Sequence, residues 1–163
     1  MQLHQKRLYF LVMILSLFLV VTALGPGLFN TPHFIGLDWQ HLFFSKLCHQ
    51  DASRSFYING QPMAVCARCF GIYISFLLGW LLLPIVGLLI KSHKKRPINF
   101  LSIAILVNVI DILGNYFGWW TNTESTRCAM GSFFGLFAAF IFVDDFFQHI
   151  PDNEVQYGNG YYE

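Results

Sequence analysis

Charged side chains are scarce in this chain. Asp, Glu, Lys and Arg make up 12% of its 163 residues, whereas a soluble domain carries about 25%. The charges nearly cancel, to a formal net charge of +1, so no basic face exists to neutralise the phosphates of a nucleic acid. Hydrophobic residues account for 55% of the chain and include 18 phenylalanines. Too little polar surface remains to cover a water-soluble globule, which predicts a protein embedded in the lipid bilayer.

Four long apolar runs divide the sequence. Crossing about 30 Å of hydrocarbon takes roughly 20 residues of α-helix, and the runs that reach or approach this length are 8–29, 65–90, 98–119 and 128–147. They lack the alternation that a membrane β-strand requires. The sequence therefore predicts an all-α, polytopic membrane bundle of about four transmembrane helices. It forms one domain over 1–150, followed by a disordered cytoplasmic tail over 151–163.

The basic residues predict the orientation of the bundle. Lys6 and Arg7 precede the first run, and four more basic residues fill the link 91–97. Since Lys and Arg favour the cytoplasmic side, both termini are expected in the cytoplasm and the loop 30–64 outside. The first run also resembles a cleavable signal peptide, but its apolar stretch is longer than usual, which favours a retained anchor.

The outer loop contains a further apolar and aromatic segment, 37–47. Its apolar side chains, with one lysine among them, recur at helical spacing, at Trp39, Leu42, Phe43, Lys46 and Leu47. This pattern predicts a short interfacial helix that lies at the membrane surface.

The sharpest local pattern is Cys66-Ala67-Arg68-Cys69, at the outer start of the second helix. Cysteines at i and i+3 share one helix face, and a helix N-terminus beside an arginine favours the thiolate. The pair suits a redox couple or half of a metal site, but two small buried hydrophobic side chains are an equally good interpretation.

Cys48 and His49 precede this motif and face the same compartment. Three thiols and one imidazole match a Cys3His zinc site in number and kind. In an oxidising exterior the same thiols form a disulfide and an exchanging thiol. Neighbouring side chains diverge, so ligation of one ion by both Cys48 and His49 is disfavoured.

Three arginines, Arg54, Arg68 and Arg127, are expected near the outer membrane surface. Guanidinium groups there either clamp a phosphate or carboxylate or extend towards lipid headgroups. Asp111 lies within the third apolar run, where a carboxylate is costly and usually has a partner. With Asn108 and Asn115 it forms a stripe that is either a polar pathway or a hydrogen-bond network between helices.

Small residues form two ridges on the predicted helices. Gly71, Ser75 and Gly79 lie on the second helix, and Gly131 and Gly135 lie on the fourth. Such ridges allow close helix packing, either within the chain or in a homo-oligomer.

These motifs resemble a family of small prokaryotic integral membrane proteins that is classified as a domain of unknown function. The resemblance rests on Cys48-His49-Gln50, on Arg54-Ser55-Phe56 and on Cys66-Ala67-Arg68-Cys69-Phe70-Gly71-Ile72-Tyr73. A second block contains Asp111, Asn122, Arg127, Gly131 and Gly135. The resemblance implies a membrane protein and supplies no activity.

Three functions fit these residues, and thiol–disulfide redox chemistry is favoured. In that case Cys48, Cys66 and Cys69 react, as in the bacterial disulfide-oxidising enzymes that pass electrons to quinone, an analogy of fold plan alone. The second function is binding of zinc, another metal or haem through Cys48, His49, Cys66 and Cys69. The third is a carrier or lipid-modifying protein that holds an anionic group through Arg54, Arg68 and Arg127 and relays protons through Asp111.

The predicted topology is tested by reporter fusions. A reporter fused after Lys95 is expected to read as cytoplasmic, and one fused after Asn59 as external, because the basic residues cluster on the Lys95 side. Alkaline phosphatase and fluorescent-protein activities measure the two sides independently. The reverse pattern would overturn the compartment assigned to the cysteines.

Overall fold

Helices dominate the computed structural model, which describes residues 2–3, 6–25, 27, 38–89, 96–142 and 147–148. The helices are α1 (Lys6–Ala23), α2 (Asp38–Phe44), α3 (Ala67–Leu89), α4 (Arg96–Tyr116) and α5 (Glu124–Phe140). Four two-residue strands accompany them, β1 (Gln2–Leu3), β2 (Tyr57–Ile58), β3 (Gln61–Pro62) and β4 (Phe147–Gln148), with a 3-10 turn at Ala52–Arg54. The predicted all-α bundle, with a short helix between the first two long helices, is confirmed.

Within the described residues, three helices are long and apolar enough to cross a membrane: α1, the stretch Ala67–Val86 of α3 and the stretch Ile98–Tyr116 of α4. The fourth predicted span corresponds to α5, which has 17 residues. The predicted tail 151–163 and most of the basic link 91–97 lie outside the described residues.

Glycine and capping residues set the helix ends. α1 ends at Ala23 rather than continuing to residue 29, and Gly25 follows with a φ of +77°, a conformation that Gly adopts without steric cost. α4 ends at Tyr116, two residues before Gly118, whose φ is +72°. α5 begins earlier than predicted because the side chain of Thr123 caps it, accepting the N–H of Thr126 at 3.3 Å.

The two small-residue ridges pack against each other. α3 and α5 run parallel, and a Cβ added at Gly131 would overlap the carbonyl oxygen of Arg68. A Cβ added at Gly71 would likewise overlap the carbonyl oxygen of Cys128. Without side chains at these positions the two backbones touch, as in small-residue contacts between membrane helices. These ridges therefore contact each other within one chain.

The start of α1 is fixed to α3 by a reciprocal pair of hydrogen bonds. Tyr9 Oη donates to the Trp80 carbonyl at 3.0 Å, and Trp80 Nε1 donates to the Tyr9 carbonyl at 3.1 Å. The two rings stack with centroids 5.6 Å apart. The hydroxyl of Tyr9 and the indole N–H of Trp80 thus both have partners, which a lipid environment requires.

Strand β1 pairs with β4 in antiparallel register, with Gln2 opposite Gln148 and Leu3 opposite Phe147. Because β1 precedes α1 and β4 follows α5, the start of α1 and the end of α5 lie at the same end of the bundle.

The opposite end, where α1 ends and α3 begins, is here called the thiol end. There β2 and β3 form a hairpin that packs against the chain just after α1. Asn59 Nδ2 donates to the Gly27 carbonyl at 2.9 Å, and the Ala64 N–H donates to the Ala23 carbonyl at 3.2 Å. These contacts fix the segment that leads into Cys66.

Replacing Gly131 tests the α3–α5 contact. Gly131→Leu is expected to destabilise the bundle by about 1–3 kcal/mol or more, because the side chain has no space beside the Arg68 backbone. Ala129→Leu, at an exposed position one half-turn away, is the matched control and is expected to change stability by at most about 0.5 kcal/mol. Thermal unfolding in detergent measures both, and equal effects would contradict this packing.

Candidate functional site

Three cysteines converge at the thiol end. The Sγ atoms of Cys48, Cys66 and Cys69 all lie within 4.8 Å of one another. Cys66 and Cys69 come from the start of α3, whereas Cys48 follows α2, 18 residues earlier in the chain. The Cys66 N–H donates to Cys48 Sγ at 3.2 Å. The structure thus brings together the three thiols that the sequence singled out.

Gln50 holds the Cys48 segment in place. Its side-chain Nε2 donates to the His41 carbonyl at 2.6 Å and to the Ala64 carbonyl at 3.0 Å. One amide group therefore connects α2 to the segment just before α3. The φ of Gln50 is +52°, a conformation uncommon for a residue with a side chain, and the two hydrogen bonds accompany it.

An apolar shell encloses the thiols. Cys48 is 7% exposed and belongs to a buried cluster with Ala23, Phe44, Ala64 and Val65. Around this cluster pack Leu19, Cys66, Cys69, Phe70 and Tyr73. Such a shell excludes water and strengthens electrostatic interactions within the site.

The surroundings of Cys48 favour its thiolate form. Hydrogen bonds from the side chains of Cys66 and then Cys69 hold the pKa of the Cys48 thiol well below its usual range. Backbone hydrogen bonds from Cys66 and Gln50 act in the same direction, and burial opposes them. A thiolate is the form that binds metals and attacks disulfides.

The spacing of the sulfur atoms suits a shared metal ion. A tetrahedral ion with Zn–S distances of about 2.3 Å holds its sulfur ligands about 3.8 Å apart, which the 4.8 Å limit accommodates. All four cysteines of the chain lie in the described part and are free thiols. The fourth, Cys128, lies outside this group.

His49 is not among the side chains that gather around the sulfurs. It is exposed, as expected for a side chain that diverges from its neighbour Cys48. Within the described residues the group of potential metal ligands therefore consists of the three cysteines.

Arg68 and Asp111 form an ion pair between α3 and α4. Arg68 Nη2 contacts Asp111 Oδ2, and Asn122 Nδ2 donates to Oδ1 at 2.9 Å and to Oδ2 at 2.8 Å. The side chain of Asp111 is 8% exposed and that of Arg68 is 21% exposed. The carboxylate is therefore shared by three structural elements: α3, α4 and the link before α5.

The two asparagines of the predicted stripe also form hydrogen bonds to other segments of the chain. Asn108 Nδ2 donates to the Met130 carbonyl on α5 at 3.1 Å, and Asn115 Oδ1 accepts the Asn122 N–H at 3.2 Å. The stripe thus forms hydrogen bonds between separate segments, which is the contact pattern that the structural interpretation predicts.

The three arginines differ in their partners. Arg54 Nε pairs with Asp51 at 3.1 Å on the surface, and Arg68 pairs with Asp111. Arg127 Nε donates to the Asn122 carbonyl at 3.2 Å. Two of the three charges already have carboxylate partners, which does not favour an anion clamp made of all three.

Two positioning residues were not assigned a role from the sequence. Gln50 and Asn122 hold the thiols and the Asp111 carboxylate in place. Both belong to the motifs that carry the family resemblance. Their hydrogen-bond partners, however, are distant in the sequence: Ala64 lies 14 residues from Gln50, and Asp111 lies 11 residues from Asn122. A pattern of sequence spacing does not reveal such pairs.

The fold and the site define a polytopic membrane protein with a three-cysteine centre at one end of its bundle. The chain belongs to the family described as predicted membrane protein (DUF2085), whose model matches residues 48–141. It is similar to the uncharacterised protein MJ1492 of Methanocaldococcus jannaschii, with 30% identity over 153 residues, which are 87% of this chain and 95% of the relative. No solved structure matches the chain. The family match begins at Cys48 and includes the ion pair, and it confirms the resemblance.

Neutralising Asp111 tests the ion pair. Asp111→Asn is expected to destabilise the bundle by about 3 kcal/mol, because it leaves the largely buried Arg68 guanidinium without a counter-charge. In the double variant with Arg68→Gln, part of this loss is expected to be recovered, with a coupling of about 0.5–3 kcal/mol. Arg54→Gln, which breaks an exposed pair, is the control and is expected to cost at most about 1 kcal/mol.

Thermal unfolding of the wild type, Asp111→Asn, Arg68→Gln and the double variant gives the coupling free energy. Strict additivity of the two substitutions would contradict a direct interaction between Arg68 and Asp111.

Proposed function

We propose that this membrane protein binds a thiophilic metal ion, Zn²⁺ or Cu⁺, through Cys48, Cys66 and Cys69. The observation that carries the proposal is the convergence of three sulfur atoms from two separate segments to within 4.8 Å. A disulfide joins only two of the three sulfurs at a time, whereas a metal ion binds all three at once. Thiolates are preferred ligands of both ions.

The residues around the sulfurs support metal binding. The Cys66 N–H bond to Cys48 Sγ is the kind of outer contact that orients a thiolate ligand. The Gln50 side chain restrains the backbone around the site, because it donates to the carbonyls of His41 and Ala64. With three protein ligands, a four-coordinate ion keeps one position for a further ligand.

The proposal includes four membrane crossings, with both termini in the cytoplasm and the cysteine centre on the extracytoplasmic side. The pairing of β1 with β4 supports an even number of crossings, because it joins the two ends of the helical region. The basic residues at the start of α1 and in the link 91–97 support the orientation. α5, with 17 residues, is the fourth span.

Thiol–disulfide redox chemistry is the second candidate. Cys48 Sγ lies within 4.8 Å of both sulfurs of the Cys66–Cys69 motif, so a small displacement allows any pair to join at about 2.05 Å. Formation of one disulfide releases two protons and two electrons, and a membrane quinone is the class of acceptor that takes up both. In this case the third thiol attacks the disulfide and exchanges with it.

Metal analysis of purified protein separates the two candidates. Reduced protein in detergent, incubated with Zn²⁺ or Cu⁺ and then desalted, is expected to retain about one ion per chain. Replacing any one of the three cysteines is expected to lower the metal affinity by more than the roughly 10–100-fold that loss of an outer contact costs. The variants are Cys48→Ser, Cys66→Ser and Cys69→Ser.

Two controls sharpen the experiment. Cys128→Ser removes a thiol that lies outside the group, and His49→Ala removes an exposed imidazole; both are expected to retain the ion. Full occupancy in Cys66→Ser would contradict the metal proposal. Protein without metal in which two of the three thiols resist alkylation until a reductant is added would instead establish the redox candidate.

A further inference from the structure

Tyr73 continues the cysteine face of α3. It lies seven residues after Cys66 and four after Cys69, so the three side chains share one side of the helix. Side chains on a helix lean towards its N-terminus. The Tyr73 ring is thereby directed towards the turn that carries Cys69.

The Tyr73 side chain packs against the buried cluster that contains Cys48, and its hydroxyl is unused. Its ring packs against Phe44, with centroids 5.9 Å apart, inside the shell of the thiol cluster. Among the described residues the Tyr73 hydroxyl has no hydrogen-bond partner, so its donor is available to a new acceptor.

A loaded centre creates such an acceptor. Three thiolates give a net charge of −1 with Zn²⁺ and −2 with Cu⁺, and burying this charge is costly unless donors compensate it. Backbone hydrogen bonds from Cys66 and Gln50 go to Cys48. In the described part of the chain no N–H or hydroxyl group donates to Cys69, and the Arg68 guanidinium is held at Asp111 through its Nη2.

We infer that the Tyr73 hydroxyl donates a hydrogen bond to the Cys69 thiolate when the centre holds a metal ion. Tyr73 is thus a positioning residue that stabilises the excess negative charge, and the inference rests on the proposed metal-binding function. Because the excess is larger with Cu⁺ than with Zn²⁺, Tyr73 also biases the centre towards the monovalent ion.

Tyr73→Phe tests this inference in the full-length protein. Competition with a chelator is expected to show a roughly 10–100-fold loss of affinity, with a larger factor for Cu⁺ than for Zn²⁺. Tyr116→Phe makes the same chemical change at an exposed position on α4 and is expected to leave both affinities unchanged. A purely structural effect of the hydroxyl would lower the two affinities by the same factor.

The outcomes separate this inference from the proposed function. Wild-type protein that binds neither ion would refute the metal centre itself. Wild-type binding with equal affinities in Tyr73→Phe and Tyr116→Phe, or an equal loss for both ions in Tyr73→Phe, would refute the role of Tyr73 alone.

A measurement on wild-type protein covers the case in which Tyr73→Phe fails to fold. Loading with Zn²⁺ is expected to shift the tyrosine ultraviolet absorption band, because a phenol that donates to a thiolate changes its electronic environment. Absence of a tyrosine difference spectrum on loading would overturn the inference.

Discussion

Arg68 is the residue on which the rest of the arrangement depends. Its carbonyl oxygen lies against Gly131, which fixes the approach of α3 to α5. Its guanidinium group pairs with Asp111, which attaches α4 through a contact that also involves Asn122. A buried ion pair of this kind adds little net stability compared with an apolar pair, but the loss of one partner is costly. The pair therefore specifies which helix faces meet, in a lipid environment where apolar faces do not discriminate between partners.

The cysteines depend on this packing because Arg68 lies between two of them. Once the start of α3 is fixed, Cys66 and Cys69 have defined positions, and the remaining thiol must come from elsewhere in the chain. Cys48 is held beside them by its neighbour Gln50, whose side chain donates hydrogen bonds to carbonyls of both α2 and the segment before α3. The centre is thus assembled from two anchored pieces and enclosed by Phe44 and Tyr73. This architecture gives a thiolate site within an apolar shell at one end of a membrane bundle.

Lipid replaces water as the solvent for most of the surface. Large apolar side chains are exposed along α1 and α4, among them Leu11, Ile14 and Leu106. In a soluble protein such surfaces cause association, whereas in a bilayer they contact acyl chains. α2 exposes Trp39, Leu42 and Phe43, as expected for a helix that lies at the membrane surface.

The sequence by itself determined the membrane class, the helices and the choice of cysteines, because length, hydropathy and i, i+3 spacing are local properties. It also located the small-residue ridges of α3 and α5, but not that each ridge is the other's partner. Only the tertiary structure decided that Asp111 pairs with Arg68, that Cys48 joins the other two thiols, and that His49 points elsewhere. These contacts join residues up to 43 positions apart. They depend on helix rotation and register, which an apolar helix surface in lipid leaves open until the buried polar groups find their partners.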